Sequence, residues 1–250
     1  MSEEKNGALM GRINAYWSQR APEFSATRMA EYEGELKGLY EALILPLVPK
    51  GAKRALDVGT GAGFFALLLA EQGLEVTGAD YSEAMLEEAR KNARARGLRV
   101  DFRRQDAQAL DFPPETFDFV FSRNVTWTLP EPEAMYACVA RVLKKGGVFV
   151  NIDANYGKTF READAAGIPP SHPNQTASQL RERNDIAESL PVTDRDRPGW
   201  DVRVLEAEGL RLIAREDDVG QKLENPAQRV TVTAAKGRAS KLFLIAMKKP

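Results

Sequence analysis

One cysteine and one histidine in 250 residues close off several kinds of chemistry at once. Cys138 alone excludes an intramolecular disulfide, a reactive thiol pair and a cysteine-rich zinc site. His172 alone excludes the multi-histidine metal constellations. An excess of one charge is missing too. Thirty-five Lys and Arg stand against 36 Asp and Glu, a formal net charge of -1, so the whole chain is not built to hold a polyanion. The longest apolar run, Phe64 to Ala70, falls far below the ~20 residues of a membrane-spanning helix. The opening MSEEKNGALM lacks the apolar core of a secretory signal, so a reducing, cytoplasmic location is expected, with no membrane partner. Repeats and low-complexity tracts are absent as well. What is present is globular composition, 43% apolar and 28% charged, enough for one domain with an appendage.

Three zones follow along the chain. In residues 1–50, Leu36, Leu39, Tyr40, Leu43 and Ile44 recur at helical spacing until Pro46 and Pro49, which predicts a helical N-terminal segment. Residues 51–153 alternate strand-like and helical runs, the signature of a parallel sheet with crossover helices. Strands are expected at 54–58, 74–79, 99–103, 117–122 and 147–152, and helices at 64–72, 83–96 and 132–143. Residues 157–199 hold five prolines and many polar residues, with a helix predicted at 176–188. So long an irregular stretch inside an α/β protein reads as an inserted cap. A helix at 200–208 and strands at 210–214, 230–233 and 241–247 complete the pattern. The expected division is a cap segment over 1–50 and one α/β domain over 51–250, carrying a cap insertion at about 157–199.

The most informative stretch is RALDVGTGAGF, residues 54–64. A strand runs into Gly59, Gly61 and Gly63, and a helix begins at once. Glycines there permit positive φ and close approach of a ligand, and the helix N-terminus favours an anionic group. Asp80 follows at the end of the next strand, where an acid accepts hydrogen bonds from ribose hydroxyls. A ribose-bearing cofactor at the carboxyl edge of the sheet is the physical inference. The G-x-G-x-G spacing with a bulky Phe64 departs from the dinucleotide G-x-G-x-x-G, and no Gly-Lys-Ser or Gly-Lys-Thr of a Walker loop follows. A nicotinamide-dependent dehydrogenase therefore ranks behind other ribose binders.

These residues resemble the class I S-adenosylmethionine-dependent methyltransferases, in their small-molecule branch. LDVGTGAGF is similar to the first family motif, which implies that Asp57, Gly59, Thr60, Gly61 and Gly63 surround the methionine part of the cofactor. VTGADYSEAML is similar to the second, which implies Asp80 on the ribose, Tyr81 beside the adenine and Met85 near it. RRQDAQAL is similar to the third, which implies Asp106 at the adenine amino group and Ala107 along the ring. FDFVFSRNVTW and RVLKKGGVFV match the fourth strand and the turn into the fifth. The resemblance implies a Rossmann-like, seven-stranded, mostly parallel α/β sheet with helices on both faces and its last strand antiparallel. It implies S-adenosylmethionine as cofactor, S-adenosylhomocysteine as product, and a small-molecule methyl acceptor. A non-catalytic binder of the same cofactor stays open as the alternative.

Methyl transfer is an in-line displacement, in which a protein mainly aligns the partners and excludes water. A general base is needed only for an acceptor that arrives protonated at high pKa, so a single histidine is no obstacle. Arg123, Asn124 and Trp127 follow the fourth strand, Asp153 and Asn155 the fifth, and Tyr16, Trp17 and Arg28 lie in the N-terminal zone. His172, Arg123 and Tyr16 are the candidate catalytic residues, and Arg123 and Tyr16 are also candidates for cofactor contact. SRNVTW stands where base amino-methyltransferases carry an Asn/Asp-Pro-Pro-aromatic motif, so a nucleic-acid acceptor is not expected. Seven basic residues against one acid between Arg90 and Arg104 read as a solvated helix end. No cluster of acids marks a metal site at the strand ends.

Overall fold

The computed structural model describes residues 3–167, 175–223 and 241–250. Its centre is a seven-stranded sheet of β1 (Arg54–Val58), β2 (Glu75–Asp80), β3 (Asp101–Arg104), β4 (Phe117–Arg123), β5 (Leu143–Asp153), β6 (Arg211–Glu216) and β7 (Phe243–Lys248). The order is β3-β2-β1-β4-β5-β7-β6. All pairs from β3 to β5 are parallel, and β7 runs antiparallel between β5 and β6. The order reverses beside β1, so the carboxyl ends of β1 and β4 open a crevice there.

Alternation along the strands sends side chains into two apolar layers. Leu56, Val58, Val120 and Phe149 face one layer with Met135, Tyr136 and Leu205. Ala55, Phe119, Phe121 and Val150 face the other with Leu67, Leu68, Tyr40 and Ile44. Each fully buried Leu or Phe contributes roughly 1.5–3 kcal/mol against the entropy of ordering the chain. The helices of the parallel half are α3 (Phe64–Glu71), α4 (Glu83–Ala95) and α5 (Pro132–Val142). Ser82 caps α4 by accepting from the Met85 N–H, and Pro132 opens α5, where its missing donor costs nothing. These elements begin and end within about two residues of the sequence expectation.

Three elements depart from it. Strand β5 starts at Leu143 rather than 147. Phe117 pairs with Leu143 and Phe119 already with Val148, so residues 144–147 bulge out, and their Lys-Lys-Gly-Gly composition reads as a turn when taken alone. Helix α1 (Glu3–Tyr32) is 30 residues long and contains Pro22. Its buried positions include Arg20 and Ser25 beside Leu9, Ile13 and Tyr16, so no clean apolar stripe advertises it. Helix α6 (Tyr156–Ala165), capped by Asn155, lies in the stretch expected to be irregular. Helices α2 (Glu35–Ile44), α7 (Ala177–Ser189) and α8 (Gly199–Ala207) agree with the expectation, and the short α9 (Gly220–Leu223) was not foreseen. The strand expected at 230–233 lies outside the described residues. Among the described residues, no helix is long and apolar enough to cross a membrane.

Candidate active site

A cavity of about 530 Å³ occupies the crevice at the carboxyl ends of β1, β2 and β4. Its floor is the glycine loop. Thr60 N–H donates to the Ala79 carbonyl at 2.9 Å, which folds the loop onto β2. Gly59 and Gly61 take φ of 66° and 52°, a region that side chains avoid. A Cβ on Gly59 would stand 2.2 Å from a Val125 methyl, and one on Gly61 3.3 Å from the Phe24 ring. The side-chain direction at each glycine is thus taken up by a protein neighbour, while both glycines line the cavity, where their peptide groups fit one end of the implied cofactor.

Asp80 sits at the end of β2. Its Oδ2 accepts the Gly61 N–H and its Oδ1 the Ser82 N–H, each at 2.9 Å. A carboxylate has about four acceptor positions, so about two stay available for hydroxyls. Burial pushes the Asp80 carboxyl above its usual range, against the donors of Ser82 and Gly61. Tyr81, Met85, Asp106 and Ala107 line the same side of the cavity. Asp106 Oδ1 accepts the Gln108 N–H at 2.9 Å and caps the turn 107–109. The expected adenosine side is thus assembled from the ends of β2 and β3.

Asp57 stands elsewhere. It is 2% exposed and not part of the cavity wall. Its Oδ2 accepts the Thr60 hydroxyl at 2.7 Å and the Ala66 N–H at 3.0 Å, so it braces the loop against the first turn of α3. Burial pushes its carboxyl up to about 7. Gly63, with φ of 92°, faces Ala89 of α4 and serves the same turn from behind. These two positions shape the loop instead of touching the cavity. Asp153 and Asn155 are also off the wall. The Asp153 carboxylate receives the Trp127 N–H at 3.0 Å and a buried Arg197 guanidinium at 3.2 Å. Arg197 bridges on to Asp201 at 2.8 Å, which takes the Tyr136 hydroxyl at 2.5 Å. That network fixes the turn that carries Trp127. Asn155 donates to the Thr193 and Arg195 carbonyls, each at 3.1 Å.

The opposite wall comes from the β4 end, α1, α6 and the α7 region. Arg123 is buried over the Tyr40 and Phe65 rings at 5.2 and 5.8 Å. Asn124, at φ 56°, accepts the Tyr156 hydroxyl at 3.1 Å. Trp127 packs on Tyr156 at 5.0 Å and on Phe160 at 6.0 Å. Tyr16, Trp17 and Arg28 reach the cavity from α1. The Tyr16 hydroxyl lies 3.3 Å from the Gln175 amide, whose oxygen, turned inward, accepts from Arg20 at 2.8 Å. His172 lies outside the described residues.

Sequence reasoning missed several contributors, Tyr156 among them. Glu31 and Phe160 line the cavity, and nothing in their local sequence distinguishes them from ordinary helix residues. Asn92 of α4 donates to the Ala62 carbonyl at 2.9 Å and to Ser25 of α1 at 3.0 Å, tying three cavity elements together. The basic stretch from Arg90 to Arg104 is largely paired: Arg90 with Glu83, Arg96 with Glu33, Arg103 with Asp101.

Residues 56–151 match the methyltransferase domain family. Over that stretch, the chain is similar to the methyltransferase domain, and its sheet order has the same architecture as solved methyltransferase structures. A phosphatidylethanolamine N-methyltransferase of Cereibacter sphaeroides is 41% identical over 102 residues, 40% of this chain and 50% of that protein. A demethylmenaquinone methyltransferase of Thermus thermophilus is 38% identical over 140 residues, 55% of this chain and 63% of that protein. The chain thus spans about half to three-fifths of these relatives' length. Among solved structures, a phosphoethanolamine N-methyltransferase of Haemonchus contortus in complex with S-adenosylmethionine superposes with a TM-score of 0.58 at 21% identity. That superposition covers 84% of this chain and 52% of the other, and shows the shared fold.

Proposed function

We propose that the protein transfers a methyl group from S-adenosylmethionine to a small-molecule acceptor. The observation that carries this reading is a glycine loop joined through its Gly61 N–H to Asp80 in the wall of one cavity at the strand ends. Both relatives and the structural neighbour are named as methyltransferases, and the neighbour holds S-adenosylmethionine.

Bound S-adenosylmethionine supplies a methyl group already activated on a sulfonium. The chain's own task is to bind, orient and exclude water. Asp80 would hold the ribose through its free acceptor positions, with Tyr81 and Ala107 along the adenine and Asp106 at its edge. Gly59 to Gly61 would support the methionine half, with Asp57 keeping their turn in shape. Trp127, Tyr156 and Phe160 form an aromatic wall from which water is excluded and against which an acceptor can lie. Burial pushes the Tyr156 hydroxyl up to about 12, so at neutral pH it stays protonated and acts as a hydrogen-bond donor or acceptor, not a ready base. Arg123 and Tyr16 are positioned to orient ligands. The acceptor is a small molecule that enters between α1 and α6.

Calorimetric titration with S-adenosylhomocysteine and, separately, with NADH tests the cofactor. Binding of NADH without binding of S-adenosylhomocysteine would reject the reading. Transfer of labelled methyl groups from S-adenosylmethionine to a panel of small acceptors then separates an enzyme from a silent binder.

A further inference from the structure

Away from the glycine loop and Asp80, the cavity carries a run of aromatic rings that ends on an arginine. Asn124, just past β4, accepts the Tyr156 hydroxyl. Tyr156 packs on Trp127 at 5.0 Å, and Trp127 on Phe160 at 6.0 Å. The Arg183 guanidinium of α7 lies over the Phe160 ring at 3.8 Å. The run therefore leads from the strand ends out to α7. Arg183 is 9% exposed, and it makes no ion pair among the described residues. Its Nε and Nη2 share the Asn184 side-chain oxygen at 3.2 and 3.0 Å. Nη1 has no partner among the described residues and is not closed off from solvent. A guanidinium withdrawn from water calls for an anion, and its neighbours do not supply one. Burial lowers the Arg183 guanidinium, with Tyr16 acting against this and the like charge of Arg20 adding to it. Asp164 already accepts the Asn184 amide at 2.8 Å. Arg20 is engaged by Glu23 at 3.5 Å and by the Tyr16 hydroxyl at 3.3 Å. One cation is left over on an otherwise aromatic wall.

We propose that this wall receives the methyl acceptor and selects a planar aromatic carboxylate, its carboxylate on Arg183 and its ring along Phe160 and Trp127. The proposal rests on the reading of the protein as a methyltransferase and names the acceptor class that this reading leaves open. Charge decides first. A neutral ligand leaves the guanidinium unpaired, and a cationic ligand brings a third positive charge beside Arg183 and Arg20. A phosphate dianion calls for two free cations, whereas Arg20 is already engaged. A carboxylate matches a single guanidinium in charge and accepts from it in the plane. Shape decides next. Trp127 and Phe160 stand at 82° to one another, so a flat ring can lie along one and meet the other edge-on, both favoured contacts between aromatic groups. Anchored at Arg183, such a ligand extends along the run with its far side turned toward Asn124 and the strand ends. Arg183 and Phe160 both lie outside the stretch that matches the methyltransferase family, where a choice of acceptor can be made without touching the glycine loop.

The test uses three probes of one shape and different charge: benzoate, benzamide and benzylamine. Each is titrated calorimetrically into the full chain held with saturating S-adenosylhomocysteine. Benzoate should bind roughly tenfold tighter than benzamide, and benzylamine weakest of the three. Arg183→Gln removes the charge and keeps a polar side chain. It should weaken benzoate roughly tenfold, to the level of benzamide, and change benzamide by less than about twofold. S-adenosylhomocysteine binding by the variant, measured first, should stay within about twofold of the parent's, which shows that it is folded. Equal affinity of the parent for benzoate and benzamide would overturn the proposal, as would a preference for benzylamine. So would an Arg183→Gln protein that binds benzoate as the parent does, or a parent that binds none of the three probes. Each of these results leaves the cofactor reading standing, because S-adenosylhomocysteine is bound throughout. A parent that fails to bind S-adenosylhomocysteine ends that reading, and the acceptor site falls with it.

Discussion

Asp57→Asn should change how stability depends on pH, and the size of the effect follows from burial. The carboxyl is 2% exposed and accepts two hydrogen bonds on one oxygen. Burial outweighs those donors and lifts its pKa from 3.8 to about 7. The unfolded chain ionises this group near the lower value, so between the two the folded protein holds a proton that the unfolded chain has lost. Stability therefore falls as pH rises through that window, by about 1.4 kcal/mol per unit. Across the whole window the loss is on the order of 4 kcal/mol. Asparagine keeps an oxygen for Thr60 and Ala66 and carries no charge at any pH, so the variant escapes the loss.

Urea unfolding of parent and variant, measured from near pH 5 to near pH 8, gives the difference directly, and other titrating groups cancel in it. The variant should gain about 3 kcal/mol on the parent over that range. Parallel stability profiles would refute the reasoning and show that Asp57 is ionised in the fold as it is in the unfolded chain. Binding offers a second check. Because Asp57 is off the cavity wall, Asp57→Asn should change S-adenosylhomocysteine affinity far less than a change at Asp80 does.

Asp80→Asn should weaken S-adenosylhomocysteine binding by about 1.5–3 kcal/mol through loss of charge-assisted bonds to the ribose; unchanged affinity in calorimetry would reject the ribose assignment. Arg197→Met should cost about 3–5 kcal/mol in urea unfolding at neutral pH, since it leaves two buried carboxylates without their cation. That cost should shrink as pH falls and the stranded carboxyls take up protons; a cost independent of pH would show that the network does not hold charge. Amide hydrogen exchange should slow in residues 3–44 and 156–189 when S-adenosylhomocysteine is added, because α1, α6 and the α7 region line the cavity with the glycine loop. Protection confined to the loop and β2 would leave those helices as bystanders.

The parallel half of the molecule was legible because local and global signals agree there. Strand runs stop at glycines, helices open at Ser82 and Pro132, and the loop-to-Asp80 spacing is dictated by one β-α-β unit. That Gly59, Asp80, Tyr81 and Asp106 gather on one cavity wall follows from the same agreement of signals. Asp57 lies off the cavity wall because adjacency to a glycine loop says nothing about which way a side chain turns. Asp153 lies off it likewise, since its partner Arg197 lies 44 residues further on. Helix α1 hid because Arg20 and Ser25 interrupt its buried face, being held there by Tyr16 and Asn92 across the fold.

The two halves of the cavity therefore follow different constraints. The side that carries Asp80, Tyr81 and Asp106 is made from strand ends and turns whose conformation is set by the sheet, so its residues sit at fixed spacings that a sequence reading can use. The facing wall is made from helices that approach from outside the sheet: α1 before it, α6 and α7 after it. Their positions are set by packing, through Asn92 bridging to Ser25 and through the Ser18 and Ser82 hydroxyls 2.8 Å apart. The wall beside Trp127 and Phe160 is thus set separately from the glycine loop. Under the proposed function, acceptor specificity is accordingly to be sought in α1 and α6, at Phe160 and Trp17, and not in the motifs that announce the fold.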